Sequence, residues 1–370
     1  MTIQKISGVT IDLVSQVSGD IAYFDGTDWV RLAKGEIGEV LTMNESETAP
    51  EWAVAVPAHI FPGSVRGYCA SGNTNNSGAG EGPKAIDRWS FTTDGNSTDV
   101  GDVVIGRHHQ SGQSSDTDGY ISGSNINGPV TAAIDRWSFS SEGNAVDHGD
   151  LIVPSGMGTG CSSETHGYVC GGIGQPHSPS GHLNTIQKFL FATSGTNNSV
   201  DVADLIQVRG GAPAGATSST HGYVAGGSNG VGGAMSIKID QFPFASDSNS
   251  TEVGECDNDT ENCAGTSSLT HGYIIGGTTE NIRKYSFASG GNSVDGGANL
   301  SASRHALTGV SSETHGYSAA GYNAGAYPPG QPNGATETIE KFSVSTDSNA
   351  TDVGDLVGWK WYSSNTGSQV

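Results

Sequence analysis

The chain has 370 residues, of which 56 are glycine, with only 15% charged and 34% hydrophobic side chains. Helical folds are not built from so much glycine; many short strands joined by Gly, Ser, Asn and Asp turns are. The net charge of −22 at pH 7 repels phosphate, which argues against nucleic acid and anionic membrane surfaces as partners.

The first twenty residues, MTIQKISGVTIDLVSQVSGD, contain no apolar stretch of signal-peptide or membrane-span length. The expectation is synthesis in the cytoplasm, no membrane insertion, and free thiols for the five cysteines. Cys161 with Cys170, and Cys256 with Cys263, are the pairings that spacing leaves open.

Residues 1–55 stand outside the repeat that fills the rest of the chain. Ile21 and Tyr23, then Trp29, Val30 and Leu32, flank Asp25-Gly26, a strong hairpin signal. A second short strand, Val40-Leu41-Thr42, leads to Pro50 and Trp52. Together with Gly19, Asp20, Thr27, Arg31, Gly35 and Gly38, these residues spell G-D-I-x-Y-x-D-G-T-x-W-x-R-L, G-x-x-G-x-V-L-T and a later P-x-W. The stretch resembles a small module common in bacteriophage tail fibres and other virion appendage proteins. The resemblance implies attachment to other virion proteins through Tyr23, Trp29, Leu41 and Trp52. It also implies a homo-oligomer, a trimer being frequent among such fibres.

From residue 56 to 358 one unit recurs six times. Its most regular part is a hexapeptide: Ile86–Phe91 and Ile134–Phe139 are both IDRWSF, and Ile186, Ile239, Ile282 and Ile339 open IQKFLF, IDQFPF, IRKYSF and IEKFSV. Ile first, an aromatic fourth and Phe sixth predict a strand with its apolar side chains on one face. A period near fifty residues predicts a propeller blade. A second landmark is Gly-Tyr, at Tyr68, Tyr120, Tyr168, Tyr223, Tyr273 and Tyr317, preceded in four copies by Thr-His and followed in three by Gly-Gly. A third is an Asn turn after the hexapeptide, leading to a Val-containing polar strand. Four strands per unit and six units predict a six-bladed β-propeller, all-β, whose blades are stable only against one another. The pattern resembles the kelch repeat, from which it departs in the lost Gly-Gly of units one, two and six. The tail, 359–370, is a candidate extra strand for the first blade or a segment docked on the N-terminal module.

His166, His221, His271 and His315 of the Thr-His-Gly turns suggest a metal site, but a blade-by-blade rotation separates equivalent positions too widely for one ion. They are read as turn residues. Asp257-Asn258-Asp259-Thr260-Glu261 alternates oxygen side chains like a calcium loop but lacks its glycine and its distal glutamate, and is read as a solvated turn. No nucleophile–base–orienter set stands out, so the expectation is no enzyme, no metal and no cofactor.

The informative asymmetry lies in the connections between second and third strands, which run from five residues to the long Gly321–Thr338 segment. Insertions gathered on one rim mark a binding face. Tyr322, Asn323, Tyr327, His177, His182, Asn73 and Asn75 are the candidate contacts, aromatics for sugar faces and amides for hydroxyls. The sequence therefore points to a virion protein, a tail fibre or other appendage, binding a host-surface glycan or protein. A connector contacting only other virion proteins, and a glycan-active enzyme, are the alternatives.

Overall fold

The computed structural model describes residues 15, 17–37, 39–44, 48–54, 63–74, 83–125, 130–174, 181–196, 198–230, 234–277, 279–323, 334–361 and 368–369. The chain divides into two compact units, Met1–Ala58 and His59–Val370. No α-helix occurs among the described residues.

The first unit is two hairpins. Ile21–Phe24 pairs with Trp29–Leu32, turning at Asp25, whose carboxylate accepts from the amides of Thr27 and Asp28. Glu39–Met43 pairs with Pro50–Val54. Trp52 ties the second hairpin to the segment before it: its indole N–H donates to the Ala33 carbonyl at 2.6 Å, and its ring covers Gly35 so closely that a Cβ there would lie 2.6 Å away.

The second unit is a ring of six four-stranded antiparallel sheets, a six-bladed propeller. Blade 2 is typical. Its inner strand Ser111–Ser114 is followed by Asp118–Asn125, Val130–Ser138 and the outer strand Val146–Asp150. Inner strands Thr159–Ser162, Ala214–Thr217, Cys263–Ser267 and Thr308–Ser311 open blades 3 to 6. Blade 1 draws its inner strand from the far end of the chain: Ser368–Gln369 pairs with Arg66–Ala70, placing Ser368 opposite Tyr68. The tail thus closes the ring.

The third strands differ from expectation in one respect. The hexapeptide does not bury a single face. Positions one and four are three residues apart and so project to opposite sides of a strand, and both sides are buried because every blade lies between two others. Ile134 of blade 2 packs with Phe189 and Phe191 of blade 3. Trp137 and Phe139 of blade 2 pack instead with Tyr68 and Ile86 of blade 1. Six such clusters fill the six interfaces, and the one joining Ile339 and Tyr317 to Trp89 completes the circle. The Gly-Tyr landmark belongs to the same packing. Each tyrosine stacks on the sixth-position Phe of the following blade, with centroids 4.5–5.0 Å apart for Tyr68–Phe139, Tyr120–Phe191, Tyr168–Phe244, Tyr223–Phe287 and Tyr317–Phe91. Where blade 6 has Val344 in place of Phe, Tyr273 donates its hydroxyl to the Val344 carbonyl.

Candidate functional site

The antiparallel order of strands gives the propeller two unlike faces. Tight turns between first and second, and between third and outer, strands lie on one. The second-to-third connections and the crossings from blade to blade lie on the other, the crossover face.

On the turn face the four histidines do local work. Nδ1 of His166, His221, His271 and His315 is hydrogen-bonded to Oγ1 of the preceding threonine at 2.8–2.9 Å. The serine three residues earlier accepts from each histidine amide. Burial lowers the pKa of all four below the usual histidine value. They are turn residues, spread one per blade.

The described inner strands pack closely on one another. Gly112, Gly160, Gly215, Gly265 and Gly309 occupy the same place in five inner strands, and a Cβ on Gly215 would lie 2.6 Å from the Gly160 carbonyl oxygen. Hydroxyls link the strands in a chain around the axis, since Ser162, Thr217, Ser267 and Ser311 each accept from the corresponding amide of the preceding blade. Among the described residues, the pocket that these five strands line holds about 20 Å³, room for about one water.

Under the crossover face lies a set of buried polar pairs. The residue after the hexapeptide isoleucine meets a basic residue from the incoming crossing: Asp135 with Arg107 at 2.9 Å, Asp240 with Arg209 at 2.5 Å, Glu340 with Arg304, and Asp87 with Lys360. In blade 3 there is no such pair: Gln187 takes the acid's place and its amide bonds both backbone groups of Val153, while Ser155 stands where the other crossings carry the basic residue. In blade 5 the polarity reverses. Arg283 sits in the strand and is held by Asn258 at 2.6 Å, Thr260 and Asp257. The acidic loop that resembled a calcium site therefore serves Arg283 rather than only solvent. Burial raises the carboxyl pKa of Asp135 and Asp240 despite their arginine partners.

Above these pairs, the candidate contacts on the rim are partly gathered. Tyr322 lies between His305 and Trp361, with ring centroids 4.9 and 5.1 Å away. The Trp361 backbone bridges to Asn73 in both directions, its carbonyl accepting from the Asn73 amide at 2.7 Å. Asn323 follows Tyr322 and donates its amide to the Gly334 carbonyl. Tyr322, Asn323 and Asn73 thus stand at one place between blades 6 and 1, all half-buried. His182 is elsewhere, over Gly210 at the junction of blades 3 and 4. Tyr327, His177 and Asn75 lie outside the described residues. Trp361 and His305 were not foreseen as contacts, although Trp361 was visible as part of an aromatic run in the tail.

In the first unit Trp29 and Leu41 are exposed, Phe24 lies 5.9 Å from Trp29, and Tyr23 is half-buried opposite Val30. All five cysteines are buried free thiols. Among the described residues no group of three or more His, Cys, Asp or Glu is arranged to hold a metal ion.

No family model matches this sequence, and no curated protein matches it. Among solved structures it is similar to that titled Structure of YjhT, with a TM-score of 0.60 and 12% identity over 79% of this chain and 99% of that one. Identity at this level bears on the fold alone.

Proposed function

We propose that this chain is a non-catalytic binding protein of a bacteriophage virion, a tail fibre or other appendage with a kelch-like propeller. In this reading the first unit joins it to other virion proteins and the crossover face meets a host-surface glycan. The observation that carries it is the Tyr322–Trp361–His305 ring cluster. The cluster stands at the start of the longest variable connection, beside the amides of Asn73 and Asn323. Aromatic faces with adjacent amides suit a sugar ring, whose C–H face stacks and whose hydroxyls bond. The order of residues Gly19 to Trp52 supports the virion setting.

The test is binding of purified protein to cells of the candidate host. Three proteins are compared: wild type, Tyr322→Ala, and a variant with residues 321–338 replaced by a Gly-Ser turn. Saturable binding by wild type that both folded variants lose supports an adhesin. Absence of binding by wild type, with incorporation into virions retained, would replace it with a structural connector. Turnover of the host polysaccharide would replace it with an enzyme.

A further inference from the structure

We infer a second binding site on the turn face of blade 1, for a small hydroxylated monocarboxylate of the uronic acid class. It stands apart from the Tyr322 cluster, on the opposite face, and does not depend on it.

The third residue of the hexapeptide is basic in most blades, and it usually spends its charge on one carboxylate of the next blade. Lys188 pairs with Asp247 at 2.5 Å, Lys284 with Asp347 at 2.5 Å, and Lys341 with Asp94 at 2.6 Å. Blade 1 breaks this balance. Its inner strand comes from the tail, so its second strand has no Thr-His turn before it, and Arg66 stands where blades 3 to 6 carry histidine and blade 2 carries Asp118. Arg66 and Arg88 converge on one oxygen of a single carboxylate, Glu142. Among the described residues these two guanidinium groups meet at one carboxylate, with Asp116 lining an adjoining pocket beside Arg66.

Both arginines line an open pocket of about 390 Å³, within the usual size range of small-molecule sites. Glu142 is not part of its wall; it holds the arginines from the neighbouring blade. Side-chain exposure of 37% for Arg66 and 26% for Arg88 leaves both within reach of a ligand. The pocket is also lined by Ser90, the cross-strand partner of Arg66, and by Thr92, Thr93 and Asn96 of the third-to-outer turn. Asp94, also in the wall, is already occupied by Lys341. A carboxylate accepted by the two guanidinium groups supplies a second negative charge, while ligand hydroxyls meet the Ser/Thr/Asn lining. The net charge of −22 disfavours polyanions but not a single carboxylate.

The experiment is calorimetric titration of the full-length protein with sodium glucuronate, beside glucose and sodium acetate at matched ionic strength. Saturable glucuronate binding that exceeds binding of both controls is expected. Arg66→Gln and Arg88→Gln should each weaken it by about tenfold or more, the scale of a lost charge-assisted bond. Glu142→Gln should strengthen it, because the competing carboxylate is gone. Melting curves establish that each variant is folded, and Arg66→Gln alone carries the test if Arg88→Gln is not. Absence of saturation by glucuronate, or folded arginine variants that bind like wild type, would overturn the site. Acetate binding equal to that of glucuronate would overturn its assignment to a hydroxylated ligand.

Discussion

Phe189 occupies the space that a side chain at Gly167 would need. The two are cross-strand partners in blade 3, and a Cβ on Gly167 would lie 2.7 Å from Phe189 Cε1 and closer still to Cζ. The same relation holds between Gly67 and Trp89, Gly119 and Trp137, Gly222 and Phe242, Gly272 and Tyr285, and Gly316 and Phe342. Two landmarks that lie 13 to 26 residues apart in the sequence are therefore one contact. Gly167→Ala should cost about 1–3 kcal/mol by forcing the ring out of place. Adding Phe189→Leu should recover part of that loss, because the smaller side chain admits the methyl group. Urea denaturation of the two singles and the double variant measures the coupling. Additive losses would mean that the glycine is needed for some other reason.

Ring closure rests on two residues of paired strand at the end of the chain. Removing 362–370 should expose the inner edge of Arg66–Ala70 and leave the interface between blades 6 and 1 without its innermost layer. The expected result is a lower melting temperature, with faster amide exchange concentrated in 66–70 and 308–311. Exchange that rises evenly through all six blades, or not at all, would show that the tail strand does not hold the ring.

The six-bladed architecture was legible because Ile and an aromatic recur at a fixed offset in the hexapeptide, and a Gly-Tyr precedes every copy. The closing strand was less so, because Thr366-Gly367-Ser368-Gln369 is a short and degenerate copy of the x-Gly-x-Ser/Thr inner strand seen in Ser111–Ser114. The two-sided burial of the hexapeptide was written in the odd spacing from position one to position four, which a half-buried strand does not explain. The buried pairs were hidden because their partners come from different parts of the unit. Arg209 precedes Asp240 by thirty-one residues, and one blade replaces the pair with Ser and Gln while another reverses it. On the rim, Trp361 meets Tyr322 because the outer strand Thr351–Lys360 of the last blade runs on beside Thr336, a pairing that no spacing in the sequence announces.

The blade-to-blade replacement of those pairs makes a direct prediction. Arg209 and Asp240 are fully buried, so Asp240→Asn leaves a guanidinium without its counter-charge and should cost about 3–5 kcal/mol. The double variant Arg209→Ser with Asp240→Gln installs the residues that stand at these positions in blade 3, where the Gln187 amide bonds the Val153 backbone and no charge is buried. It should be more stable than Asp240→Asn, despite removing more of the native interaction. Chemical denaturation decides between the two. A double variant that is as unstable as the single would mean that the Ser–Gln arrangement depends on surroundings particular to blade 3.

His148 offers a pH-dependent test of the packing. It lies in the outer strand of blade 2 at a position filled by Val100, Val202, Val253 and Val353 in other blades. Its ring is 1% exposed, edge-on to Tyr120 at 5.1 Å, with Nε2 near the Leu190 carbonyl. Burial lowers its pKa below the usual value of 6.5. The unfolded chain therefore takes up a proton as pH falls through about 6.5, whereas the folded chain does so only at lower pH. By linkage, the stability associated with this group is present above 6.5 and is lost as pH falls toward the folded value. His148→Val removes that contribution while keeping the side chain of the other blades. Melting temperatures at pH 7.5, 6 and 5 should fall less steeply for the variant than for wild type. The remaining lowered histidines, and the raised carboxyl groups of Asp135 and Asp240 with their opposite slope, are common to both proteins and cancel in the difference. Parallel curves would show that His148 takes up its proton alike in the folded and unfolded states, and that its burial does not hold it neutral.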